Sequence, residues 1–132
     1  MRRQFLLPES DREYLCGLRL EWETITENGM QWLLLHAFPI PDGYNHSNAA
    51  TAIMISPGYP DTPLDMVWFY PALARKDGVA IGALAQQQID GKIFQRWSRH
   101  YTQQNPWRAG ESDISTHLLL IREWLEREFR KR

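Results

Sequence analysis

Apolar and charged positions alternate early in the chain, where Leu18, Leu20, Trp22 and Thr24 are separated by Arg19, Glu21 and Glu23. A period of two puts each set on its own face, so this stretch predicts a half-buried strand. Glu27-Asn28-Gly29 follows, and Asn-Gly tolerates the positive φ that a two-residue hairpin turn requires. Residues 30–38 return as a second strand, with Trp32, Leu34 and His36 on one face and Leu33, Leu35 and Ala37 on the other. Residues 39–48 hold two prolines, a glycine and several turn formers, and read as loop. Residues 49–56 and 64–70 supply a third and a fourth strand. Between them Pro60 and Pro63 fix their own φ and force the residues before them into extended backbone.

Helical signals bracket these strands. Ser10 or Asp11 can cap a short helix, with Glu13 near the capping-box position. It runs to about Cys16, where Gly17 offers a left-handed end. Residues 1–8 form a short arm in which Phe5, Leu6 and Leu7 can dock on the body. At the other end Ile114, Leu118, Ile121, Leu125 and Phe129 recur at helical spacing and define an amphipathic helix. Ser112 or Asp113 caps its start, and Arg127, Arg130, Lys131 and Arg132 suit the negative end of its dipole. About forty residues without periodicity lie between the fourth strand and this helix, and a structureless stretch of that length in a compact domain is either functional or an element assigned wrongly. The predicted fold is α+β, a single domain over residues 1–132. It comprises an N-terminal helix, a four-stranded antiparallel meander, a long irregular segment and a C-terminal helix packed on the sheet.

Composition narrows the chemistry. The chain has 132 residues, 43% hydrophobic and 23% charged, as expected of a globular domain able to bury a core. A formal net charge of −1 supplies no bulk attraction to nucleic acid or to an acidic membrane. The one cysteine excludes an internal disulfide and a cysteine-rich zinc site. The four histidines are not spaced as metal ligands, so neither a metal nor a cofactor is expected. No apolar run spans a membrane and no signal-peptide core is evident, which places the chain in the cytoplasm.

The order strand, Tyr59-Pro60 loop with Pro63, strand, then Gly91-Lys92-Ile93-Phe94, Trp107 and a helix from about Asp113 resembles ubiquitin-conjugating (UBC-like) domains. It is most similar to the divergent bacterial kind, prokaryotic family E. The site region resembles that of the conjugating enzyme for the ubiquitin-fold modifier, in which a Gly-Lys-Ile-Cys turn precedes a Trp and a helix. The resemblance covers roughly residues 7–129 and puts Phe94 where the family's catalytic cysteine stands. A thiolate carries the cargo as a thioester in that family, and phenylalanine cannot. The family's His-Pro-Asn signature also has no counterpart here.

Three residues remain as weak catalytic candidates. Cys16 is the only thiol, although its place beside Leu15 in the first helix predicts a buried structural residue. Ser98 and His100 offer a nucleophile and a base, but no acid in their segment orients the imidazole as a triad requires. A recognition role fits the same stretch: Lys92, Arg96, Arg99, His100 and Arg108 interleave with Trp97, Tyr101 and Trp107, types enriched at interface hot spots. That mixture also suits a single-strand nucleic-acid platform, against which the net charge and the lack of an RNA-binding motif weigh. His36 reads as a core histidine and His117 as a residue at the rim of the last helix. Tyr44 and His46 receive no role.

The resemblance therefore implies a catalytically altered conjugating-enzyme fold that acts as an adaptor in a bacterial ubiquitin-like system. Its implied partners are a ubiquitin-like protein (often with domains in tandem), an adenylating activating enzyme and a metalloisopeptidase. The first helix, residues 9–15, is the implied contact with the activating enzyme. The alternative is an active conjugating enzyme with Cys16 or Ser98 as a non-standard nucleophile.

Overall fold

The computed structural model describes residues 1–130. In chain order these form α1 (Glu9–Gly17), β1 (Trp22–Glu27), β2 (Met30–Pro39), β3 (Asn48–Ile55), β4 (Val67–Tyr70), β5 (Leu84–Ile89), β6 (Lys92–Trp97) and α2 (Ile114–Arg127). A short 3-10 turn, Glu128–Arg130, follows α2 and takes Phe129 out of the helix. All strands pair antiparallel in one sheet of order β1-β2-β3-β4-β6-β5.

The sheet has six strands, not four, because the stretch expected to be irregular contains a hairpin. Its turn is Asp90-Gly91, with φ of 53° and 75°, and it repeats the conformation of Asn28-Gly29 at 52° and 76°. Both are two-residue turns that need positive φ at both positions. The β5 sequence LAQQQI carries glutamines in place of an apolar alternation, which removes the period that identifies a strand.

Local differences have local causes. β1 begins only at Trp22, so Leu18 and Leu20 lie in the connection. In β2 the register shifts between Leu35 and Phe38, where Ala37 has φ of 57°, as in a β-bulge. The bulge turns His36 to a half-buried rim, with Nε2 3.7 Å from Glu23, rather than into the core. Pro8 occupies the N-cap of α1 without a side-chain cap, and Leu18 follows in extended backbone, so Gly17 is not a left-handed terminator. Asp113 does cap α2: its carboxylate accepts from the Thr116 amide at 3.1 Å, and the Thr116 hydroxyl lies 2.9 Å from the Asp113 amide, completing a capping box.

Both faces of the sheet are covered. On one, Leu33, Leu35, Ile53, Phe69 and Trp97 pack with Ile114, Leu118, Ile121, Trp124 and Leu125. On the other, Ile25, Trp32, Leu34, Ala52, Trp68, Ile89 and Phe94 form a second core, in which Trp32 and Trp68 meet edge to face at 4.8 Å. Among the described residues no helix covers this second core, and the two ends of the sheet approach each other across it. The tip of the β5–β6 hairpin reaches the β1–β2 turn at the far end of the strand order: the Asp90 amide donates to the Glu27 carboxylate at 3.1 Å, and Arg2 bridges Glu23 and Asp90.

Candidate functional site

Residues 98–113 cross from β6 to α2, held down by aromatic residues. Trp97 ends β6 fully buried, with Nε1 donating to Gln95 at 2.9 Å. The half-buried Tyr101 donates its hydroxyl to His117 Nδ1 at 2.8 Å. Trp107 Nε1 donates to the Pro60 carbonyl at 3.1 Å, so the Tyr-Pro loop and the crossing segment brace each other. Tyr59 in turn donates to Asp11 Oδ2 at 2.8 Å, while Asp11 Oδ1 accepts from the Ile114 amide at 3.3 Å. Asp11 thus ties the Tyr-Pro loop to the start of α2 instead of capping its own helix. Burial pushes its pKa up, against the pull of the Tyr59 and Ile114 bonds. Burial and the Asp11 carboxylate push Tyr59 up as well.

His117 is completely buried, not at the rim of its helix. Its Nε2 lies 3.0 Å from the Met66 carbonyl, which only accepts, so Nε2 carries the proton and Nδ1 accepts from Tyr101. Desolvation lowers its pKa from 6.5 to about 4, only partly opposed by the Met66 bond. The imidazole is neutral at physiological pH and structural in this setting.

The recognition residues expected from sequence do not form one surface. Trp97 is enclosed, while Tyr101 and Trp107 turn their polar atoms inward. Arg99 is committed to Glu128, at 2.6 Å, in a largely buried pair. Arg96 is half-buried in β6 opposite Trp68. Lys92, His100 and Arg108 remain exposed. His100 does have an acid: Asp65 places Oδ2 2.8 Å and Oδ1 3.1 Å from Nδ1. Asp65 sits 35 positions away, on the loop before β4, and no sequence spacing links the two. The contact leaves Nε2 free, the orientation a general base needs. Among the described residues, however, no hydrogen bond joins Ser98 to His100.

Phe94 lies mid-strand in β6, 3% exposed, in the second core. Its neighbours include Tyr70, with ring centroids 5.6 Å apart. A side chain at that position is shut away from solvent. Cys16, expected to be buried, is exposed. In a short helix whose Asp11 and Leu15 point inward, the residue after Leu15 turns outward. It lines a groove of about 620 Å³ with Arg3, Phe5, Leu6, Leu7, Arg12 and Trp22. A second groove, of about 330 Å³, runs between α1 and α2; Tyr14, Leu18, Leu20, Phe38 and Leu118 line it, with Arg19 and Arg122. Leu119 stands beside it 69% exposed. Among the described residues no cluster of His, Cys, Asp and Glu could hold a metal ion, and no helix is long and apolar enough to cross a membrane.

A leading helix, an antiparallel sheet interrupted by a Tyr-Pro loop and a closing helix define a ubiquitin-conjugating-like protein. The model of prokaryotic E2 family E matches residues 7–128, nearly the whole chain, and the chain belongs to that family. No curated protein and no solved structure matches it.

Proposed function

We propose that the chain is a non-catalytic adaptor of a prokaryotic ubiquitin-like modification system, binding a ubiquitin-like protein or its activating enzyme. The observation that supports this most is the enclosure of Phe94. The position that the family resemblance assigns to the nucleophile holds a side chain without nucleophilic chemistry, inside a core closed by the hairpin that carries it. Ser98, the oxygen alternative, has no hydrogen bond to His100 among the described residues. Binding falls to the α1–α2 groove, where an apolar floor and two arginines at the rim suit an apolar segment flanked by acidic residues. It adjoins the helix through which conjugating enzymes meet their activating enzymes. A ubiquitin-like protein with tandem domains and a metalloisopeptidase complete the expected set of partners, in the cytoplasm.

The exposure of Cys16 favours one competing reading, an active enzyme with a relocated thiol. Its thiolate would attack the thioester carbonyl on the activating enzyme, take over the acyl group and expel that enzyme's cysteine as a thiolate. Intact-mass spectrometry separates the two after incubation with an activating enzyme, its ubiquitin-like protein and ATP. The adaptor reading expects an unchanged mass together with co-elution of a complex that Leu119→Asp weakens. A mass increase of one ubiquitin-like unit, lost in Cys16→Ala or in Ser98→Ala, would overturn it.

A further inference from the structure

The two edges of the sheet are treated differently. The N-terminal arm covers the β1 edge: the Gln4 amide donates to the Thr24 carbonyl at 2.9 Å, the Thr24 amide to the Arg2 carbonyl at 3.1 Å, and Arg3 bridges Thr24 in parallel. The opposite edge, β5, has no such cover among the described residues. The Ser98 amide donates to the Ala83 carbonyl at 3.0 Å, and the register continues as Leu84 with Trp97, Ala85 with Arg96 and Gln86 with Gln95. Bonded and non-bonded pairs alternate along an antiparallel ladder. Ala85, Gln87 and Ile89 therefore turn their backbone groups to β6, while Leu84, Gln86 and Gln88 aim N–H and C=O outward. The side chains of these three are exposed as well.

Natural sheets blunt such edges with lysine, proline or a bulge. LAQQQI has none of the three, and its register against β6 runs without a shift. We infer that β5 is a self-association edge, pairing antiparallel with β5 of a second copy about a two-fold axis through Gln86. In that register Gln86 faces Gln86 of the second copy, and Leu84 faces Gln88 on either side. Every outward-directed N–H and C=O of the three residues is then bonded, which a shift by one residue would undo.

Charge and side-chain chemistry select a second copy as the occupant. A two-fold axis sets each axial residue against itself, so a charged edge would repel its own copy. This edge is uncharged, and a primary amide carries both donor and acceptor, so two identical glutamines can bond to each other. Ile93, 52% exposed and opposite Gln88 in β6, extends the same row of side chains toward Leu84 of the second copy.

Sedimentation equilibrium of the full chain over micromolar concentrations tests the inference, with three variants at the axis. Gln86→Pro removes an N–H that β6 does not use, and edge strands accept proline at such positions. Far-UV circular dichroism should be unchanged while dimerisation weakens at least about tenfold. Gln86→Lys and Gln86→Glu should each dimerise more weakly than the wild type, and their equimolar mixture should associate more tightly than either alone. A wild-type chain that stays monomeric, Gln86→Pro dimers of undiminished affinity, or a charge-swapped mixture no tighter than its components would each overturn the inference. If the chain is monomeric and Gln86→Pro instead lowers affinity for the ubiquitin-like protein, the edge accepts a partner's strand and the second-copy assignment fails. Adduct formation and binding at the α1–α2 groove are read separately, so this failure is distinct from that of the adaptor reading.

Discussion

Acidification should destabilise this protein through His117 before its Arg-paired carboxylates titrate. The ring is fully buried among Tyr101, Trp124 and the Met66 carbonyl, with no carboxylate in contact among the described residues, and its pKa falls from 6.5 to about 4. A depressed histidine pKa means that the folded state prefers the neutral ring. Its stabilisation is complete above pH 6.5 and is lost as pH falls from 6.5 toward 4. The full linkage is about 3 kcal/mol, of which about 2 kcal/mol is lost by about pH 5. The carboxylates of Glu23, Asp77 and Asp90, whose pKa values are lowered by Arg2 and Arg75, lose their contribution only at lower pH. Asp11 is shifted upward and acts in the opposite sense, regaining stability as it protonates. Urea denaturation of wild type and His117→Gln at about pH 7.5 and about pH 5 cancels these shared terms. The wild type should lose about 2 kcal/mol more than the variant over that interval. Parallel pH profiles for the two proteins would refute the tautomer and burial argument.

Thiol accessibility gives a second check: Ellman's reagent should titrate Cys16 in the native protein. In Cys16→Ala/Phe94→Cys the new thiol should stay silent until unfolding, with stability reduced by about 2–4 kcal/mol; rapid native-state labelling would contradict the enclosure. Gly43 has φ of +105°, and a Cβ there would lie 2.5 Å from the Phe129 ring. Gly43→Ala should therefore cost about 1–3 kcal/mol in urea denaturation. Closure of the second core should depend on Trp32 far more than on Arg2. Trp32→Ala should cost about 3–5 kcal/mol, whereas Arg2→Ala, which removes two partly exposed ion pairs, should stay within about 1–2 kcal/mol.

Legibility followed periodicity. The four-strand meander and α2 were readable because Leu33, Leu35, Ile53 and the Ile114–Leu118–Ile121–Leu125 stripe alternate or recur at the spacing of the buried face. The β5–β6 hairpin was not readable, because its outer strand faces solvent with glutamines and its inner residues Ile89 and Phe94 lie too far apart to set a period. Asp90-Gly91 was the available signal, equal in turn chemistry to Asn28-Gly29. Asp11, Asp65 and His117 illustrate a different limit. Each takes its role from a partner dozens of residues away, Tyr59 with Ile114, His100, and Met66 respectively. Composition names these side chains but not their environments, which is why Cys16, expected inside, is exposed and His117, expected at the rim, is buried.

The β5–β6 hairpin bears on the proposed function because it encloses position 94. Exposing it would require the hairpin to swing away from Trp32, Trp68 and Ile25. Full burial of each large apolar side chain is worth about 1.5–3 kcal/mol, and several must be uncovered together. Against that, the tip contacts from Asp90 to Glu27 and Arg2 are partly solvent-exposed and contribute little. Breaking the clasp alone would therefore not open the core, and the opened state would be a minor fraction of the population. On the proposed reading, covalent transfer would use a side chain other than that at position 94, and Cys16 is one that is exposed. A role in binding has no such requirement, since the α1–α2 groove and the β5 edge already face solvent.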